Sequence, residues 1–309
     1  MESIVAEGIV RRYRTGRGIE GVSLSVEAGR CIGVLGANGS GKTTLTRLVA
    51  GLDGIDRGRL EVLGGPARPA SRRLRRRCGI ALESPTHWET LSGRQNLHFF
   101  ARQYGLTGSR LTDRVRELLA EADLRAQADD PVSTYSFGMR RKLGILEALV
   151  HDPDLLILDE PSAGIDAGFL GRLVQWIRAR CRRGATTWVA DNDAGWVSRV
   201  ATHAVLLRDG RIEAEGSVAD LMASVKARNE IEILLEEPSF VAEPHMREID
   251  AFHCEGSRIT ARAQGDNGAP AELLRWIGAH GGCVRSMEIR STTLYDALLD
   301  RAGRRGERP

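Results

Sequence analysis

The chain has 309 residues, 42% hydrophobic and 28% charged, the composition of a globular protein with room for one large domain and one small one. No apolar run approaches the roughly 18 residues of a membrane-crossing helix, and the opening MESIVAEG lacks the basic-then-apolar pattern of a secretion signal. A net charge of +3 does not point to nucleic acid, and five scattered cysteines without a CxxC pair read as free buried thiols in a reducing compartment.

From the N-terminus, SIVAEGIVRRY, GVSLSV and CIGVLG are apolar, β-branched runs bounded by glycine, which predicts the opening strands of a sheet. CIGVLG runs into GANGSGKT (36–43), a Gly-rich turn that opens a helix. Gly36, Gly39 and Gly41 leave no Cβ between the backbone N–H groups and a phosphate, and the helix presents its positive end to the same anion. Lys42 supplies a point charge for the β- and γ-phosphates, and the Thr43 hydroxyl is a ligand for Mg²⁺. Gly36, Ala37, Asn38, Gly39, Ser40, Gly41, Lys42, Thr43 and Thr44 are therefore the candidate ATP-binding residues.

SRRLRRR (71–77) leads straight into CGIAL, so it reads as a solvated helix face ahead of a strand rather than as a phosphate patch. Between about 86 and 150 the apolar spacing is helical in QNLHFFARQYGL, SRLTDRVRELLAEADL and FGMRRKLGILEALV. DLLILDEP (154–161) is a continuous apolar run, as a buried parallel strand should be, and it ends in two acids. Asp159 suits the Mg²⁺ shell, and Glu160 suits orienting and deprotonating an attacking water. A helix (about 168–182), TTWVA, a second helix, HAVLLRDG and RIEAEG follow, and this alternation predicts a parallel α/β sheet. In WVADNDAGW (188–196), Asp191 and Asp193 flank Asn192. The choice is a metal cluster or a polar turn with a helix-capping acid, and the lack of His or Cys at ligand spacing weighs against zinc. Residues 226–303 read as a small α+β domain, and 304–309 as a disordered tail.

These motifs, in this order, resemble the ATP-binding subunits of ABC transporters over roughly residues 4–222. The most specific stretch is YSFGMRRKLGILEALVHDPDLLILDEPSAGID (135–166), where a signature stretch precedes the acidic strand and SAGID follows it. The resemblance implies an α/β fold of the P-loop NTPase, ABC type over 1–225: a parallel-sheet core, an antiparallel β subdomain and a helical subdomain at about 86–150. It implies two such subunits, identical or different, meeting head-to-tail around two ATPs. Ser136 and Gly138, at a helix N-terminus, would meet the γ-phosphate held by the other subunit. Tyr13 sits where the family stacks an aromatic on adenine; a plain core tyrosine is the alternative. The form YS-x-GMRRK, the small C-terminal domain and the closing STTLYDALLDRAG are similar to the ABC-2 branch, which exports drugs, antibiotics, polysaccharides or lipids. That implies an integral-membrane permease partner, met through ESPTHWETLSGRQNLHFFARQYGL, and a cytoplasmic place on the inner face of the membrane.

Three positions depart from the family pattern. Phe137 replaces a signature glycine, Glu83 replaces the glutamine that reaches Mg²⁺ and water, and Asn192 occupies the switch histidine position. A carboxylate at 83 remains a Mg²⁺ ligand but adds negative charge near the γ-phosphate. An Asn amide donates a neutral hydrogen bond and carries no proton. Losing one charge-assisted contact of that kind costs roughly 10²–10³ in rate. Two readings follow: an ATPase that energises an exporter, or a degenerate ATP-binding regulatory subunit paired with a more typical ATPase. A soluble ATPase of translation or repair fits less well, since there is one loop motif and no room for a coiled-coil arm.

Overall fold

The computed structural model describes all residues except 15, 70, 85–86, 225–227, 238–248, 265–267 and 307–309. The chain divides into two compact units, Met1–Ser217 and Val218–Pro309.

In the first unit, β1 (Glu2–Arg12) and β2 (Gly18–Glu27) mix buried and exposed side chains, as strands with one wet face do. β3 (Cys31–Leu35) is buried throughout and runs through the Gly-rich turn into α1 (Lys42–Val49). β4 (Arg57–Val62) and β5 (Gly65–Pro66) complete an antiparallel sheet of order β2-β1-β4-β5. The arginine run forms α2 (Arg72–Arg77), capped by the Ser71 side chain, and passes directly into β6 (Cys78–Ala81). Three helices then interrupt the strand succession: α3 (Gly93–Gln103), α4 (Gly108–Glu121) and α5 (Phe137–Leu149). A capping box fixes the start of α3, with Ser92 and Gln95 exchanging backbone hydrogen bonds. β7 (Leu155–Asp159), α6 (Ala167–Arg182), β8 (Thr186–Ala190), α7 (Ala194–Val200), β9 (His203–Arg208) and β10 (Arg211–Ser217) close the unit.

The second sheet has the order β10-β9-β3-β8-β7-β6, parallel except for the β10–β9 hairpin. β7 and β8 are buried at every position, which is why both read as continuous apolar runs. Both sheets feed one core: Ile4, Ile9 and Val22 from the antiparallel sheet meet Leu45 and Leu48 of α1 and Ile32, Val34 and Trp188 of the parallel one. Trp188, fully buried, donates its indole N–H to Thr46 Oγ1 at 3.0 Å and so meets its one polar need inside that core.

The second unit contains α8 (Val218–Ser224), β11 (Arg228–Leu235), β12 (Ile249–Glu255), β13 (Arg258–Gln264), α9 (Ala269–Ala279), β14 (Val284–Ser291) and α10 (Leu294–Gly306). Its antiparallel sheet has the order β12-β13-β11-β14. Ile231, Ile233 and Leu235 alternate along β11 and, with Ile259 of β13, bury against Leu273 and Ile277 of α9. The domain boundary expected at 225–226 lies outside the described residues. α8, just before it, packs on α10 within the second unit. Of the tail expected to be disordered, 304–306 continue α10 and 307–309 lie outside the described residues. No helix among the described residues is long and apolar enough to cross a membrane.

Candidate functional site

Parallel register sets the C-terminal ends of four strands side by side. Val34 of β3 and Asp159 of β7 both pair with Ala190 of β8, and Leu158 pairs with Ala81 of β6. The segments leaving those ends are residues 36–43, Glu160, Asp191–Asn192 and Leu82–Glu83, so one edge of the sheet collects the candidate chemistry.

In the loop, Gly39 and Gly41 have φ of +82° and +107°, a region costly for any side chain with a Cβ. A Cβ on Gly36 would lie 2.3 Å from the Leu207 carbonyl oxygen and 2.5 Å from Ser40 Oγ, so a side chain there would break the loop's seat on β9. Lys42 is 5% exposed, and its Nζ donates to the carbonyls of Gly36 (2.9 Å) and Ala37 (3.3 Å). Burial lowers its pKa, against the opposing pull of Glu160, Asp159, Asp191 and Glu83. Ser40 Oγ is buried with no hydrogen-bond partner among the described residues, Thr44 is half-buried, and Ala37, Asn38 and Thr43 are exposed.

Asp159 is 1% exposed, and among the described residues neither carboxylate oxygen has a partner at hydrogen-bond geometry. Burial raises its pKa to about 6; the nearby Thr43 hydroxyl and Lys42 pull it down, while Glu160 and Glu83 push it up. A buried carboxylate with free lone pairs, a hydroxyl beside it and a neighbouring carboxylate are hard oxygen donors, and they fit Mg²⁺. No group of three or more His, Cys, Asp or Glu residues among the described ones is arranged to hold a metal. A Mg²⁺ bound through one or two carboxylates together with substrate phosphates and water needs no such group.

Glu160 has a left-handed φ of 49°, uncommon for a side chain of its size, and its N–H donates to the Ala190 carbonyl at 2.7 Å. Asn192 lies beside it. The Asn192 amide donates to Asn38 Oδ1 at 2.8 Å and to Glu160 Oε1 at 3.2 Å, joining loop, acid and switch position. The acids around Asn192 serve different ends. Asp193 caps α7 by accepting from the Trp196 N–H at 2.9 Å. Asp191, 2% exposed, accepts from the Ser162 N–H (3.0 Å) and hydroxyl (2.8 Å) and from the Asp193 N–H (2.9 Å), which ties the end of β8 to the SAGID loop. Nothing in the spacing of WVADNDAGW signals that tie, since its partner lies 29 residues away.

Tyr13, Ser136 and Gly138 lie at other elements. Tyr13 is half-buried; its hydroxyl donates to Asp53 Oδ2 at 2.8 Å, and the Arg11 guanidinium sits 5.1 Å from its ring centre. Arg47 of α1 also binds Asp53, at 2.9 and 3.1 Å, and holds its carboxyl below the usual carboxylate range. Ser136 caps α5, accepting from the Met139 N–H at 3.2 Å. A Cβ on Gly138 would lie 2.6 Å from the Gly164 carbonyl oxygen, and the 59%-exposed Phe137 ring packs over Gly164. Glu83 is exposed, and its backbone carbonyl accepts from the buried Arg141, a residue the motif reading does not single out.

Residues 19–163 match a protein-family profile described as "ABC transporter". Over 99% of its length the chain is 30% identical to a daunorubicin resistance ATP-binding protein of Streptomyces coeruleorubidus, covering 96% of that protein. It is 29% identical, again over 99% of its length and 86% of the relative, to a Nod factor export ATP-binding protein of Neorhizobium galegae. A solved structure of an ATP-binding subunit of an ABC transporter superposes with a TM-score of 0.66 at 26% identity, covering 72% of this chain and 92% of that one.

Proposed function

The chain belongs to the ABC transporter ATP-binding family, with the fold of its ATPase domains, and from that premise we propose that it hydrolyses Mg-ATP to drive an ABC-2 type exporter. The observation that carries this reading is the convergence, on one sheet edge, of the loop 36–43, the buried Asp159, Glu160 and Asn192.

In this reading the amides of residues 36–44 and the Lys42 ammonium hold the ATP phosphates, Tyr13 faces the base, and Thr43, Asp159 and Glu83 hold Mg²⁺. The bound metal neutralises phosphate charge in the transition state. Glu160 accepts the proton of the attacking water, and Asn192 steadies the Glu160 carboxylate through its amide. Ser136 and Gly138 serve the nucleotide of a second ATP-binding subunit, identical or not. Trp88 (55% exposed) and Phe99 (38%), in edge-to-face contact at 6.0 Å, form an exposed apolar surface that supports docking to an integral-membrane permease from the cytoplasmic side. The relatives' names, one for daunorubicin resistance and one for Nod factor export, support an export direction.

Turnover of the purified chain tests this. Glu160→Gln is expected to lower kcat by about 10²-fold or more while keeping ATP affinity within a few-fold. A wild-type chain that binds no Mg-ATP at millimolar concentration would sink the reading. The regulatory alternative draws on the neutral amide at 192, whose nitrogen is already engaged by Asn38 and Glu160. It predicts that the wild type binds Mg-ATP but turns it over only when paired with a second, different ATPase subunit.

A further inference from the structure

α5 lies directly on β6 because Gly79 has no side chain: a Cβ there would sit 1.9 Å from the Ala148 carbonyl oxygen. Arg141 is seven residues before Ala148, two turns back on the same helix face and about 10 Å along the axis. From Gly79 to Leu82 and Glu83 the chain advances about the same distance, at roughly 3.3 Å per residue. Helix and strand run in opposite directions, so Arg141 arrives where β6 and β7 leave the sheet.

What it meets there is backbone. Nη1 donates to the Leu82 carbonyl at 3.0 Å and to that of Glu83; Nη2 donates to the Asp159 carbonyl at 3.2 Å and to that of Glu160. These four carbonyls lie at or beyond the last paired residues of the two strands, Ala81 and Asp159. The side chain is 4% exposed and forms no ion pair among the described residues, although Glu83, Asp159, Glu160 and Asp191 all act on its charge. An ammonium has one centre for its donors, whereas the planar guanidinium fork spans two segments at once.

We propose that Arg141 is a positioning residue for ATP hydrolysis: one guanidinium on the helix that starts at Ser136 fixes the backbones of Glu83 and Glu160 against each other. It holds Glu160 in its left-handed conformation from the carbonyl side, while the Ala190 carbonyl holds it from the N–H side. The inference rests on the ATPase reading above and adds to it a residue that touches neither nucleotide nor metal. A misplacement of the reacting groups on the order of 1 Å costs about 10²-fold in rate, so the effect belongs in kcat.

The test compares full-length wild type with Arg141→Lys and Arg141→Gln, measuring kcat, KM, and ATP affinity with Mg²⁺ and with EDTA. Both variants are expected to lose at least tenfold in kcat. KM and the EDTA affinity should stay within twofold, and the gain in affinity that Mg²⁺ confers should shrink. Turnover within twofold of wild type in Arg141→Lys overturns the proposal. A parallel loss of kcat and of metal-free ATP affinity also overturns it, because that pattern marks general unfolding. A wild type that binds Mg-ATP without hydrolysing it counts against the ATPase reading, and the Mg²⁺ increment then decides for Arg141: kept in both variants, the proposal falls; lost, it stands.

Discussion

At Asn192 one side-chain nitrogen serves two acceptors, Asn38 Oδ1 on the phosphate loop and Glu160 Oε1 on the acid. An imidazole in its place has one ring nitrogen to offer each direction and a different reach, so it does not reproduce that double contact. Asn192→Ala is therefore expected to lower kcat by about 10- to 100-fold, and Asn192→His to leave it at or below the wild-type value. Steady-state turnover at saturating Mg-ATP checks both, and a tenfold gain in Asn192→His would mark the site as degenerate instead. The departure at 192 is visible in the sequence because the acidic strand and the signature stretch fix its place. Its partners are not, since Asn38 lies 154 residues away and meets it only through the pairing of β3 with β8. The same holds for Glu160: DE at a strand end is legible, while its φ of 49° is not. That conformation costs about 1–3 kcal/mol and persists only because its surroundings over-determine it.

Elements with strong local signals were readable one by one. The strand–turn–helix at 31–49 carries β-branched residues, glycines and apolar spacing in order, and the arginine run forms α2 and then gives way to β6 where CGIAL begins. How connecting segments lock onto helices was not readable, because it depends on long-range pairs such as His87, between β6 and α3, with Glu147 of α5. His87 Nδ1 lies 3.0 Å from Glu147 Oε1 on α5, its Nε2 lies 2.9 Å from the Arg140 carbonyl, and the two side chains are 2% and 9% exposed. Burial disfavours the imidazolium, but the Glu147 carboxylate and the Arg140 carbonyl outweigh it and the nearby Arg140 charge, so the His87 pKa is raised. Burial also raises Glu147, with His87 opposing. A folded state that binds the His87 proton more tightly is stabilised fully below the unfolded value of about 6.5 and loses that contribution as pH climbs through the raised folded value. The melting temperature should accordingly fall as pH is taken from 6.5 to 8.5. Glu147→Gln, which removes the counter-charge, should flatten that part of the profile. An unchanged slope in the variant would show that the pair does not set it.

For the molecule as a whole, the division at Ser217 has a functional corollary. Every residue proposed to bind nucleotide or metal, from Tyr13 to Asn192, lies in the first unit, whose core spans both of its sheets. The second unit has its own core, built by β11, β13 and α9 without any of those residues. If the nucleotide site is complete within residues 1–217, a fragment ending at Ser217 should gain the same stabilisation from ligand as the full chain. Linkage sets the size: a ligand at a hundred times its Kd adds about 2.7 kcal/mol to folding, whatever the intrinsic stability of the protein that binds it. The comparison is cleanest in Glu160→Gln, so that ATP is not consumed during the measurement. Denaturant unfolding of fragment and full chain, each with and without Mg-ATP, should therefore give equal free-energy increments despite different baselines. A fragment that unfolds cooperatively yet gains nothing from Mg-ATP would mean that residues beyond Ser217 are needed to form the site. That result would contradict the confinement of its chemistry to the edge where β3, β6, β7 and β8 end.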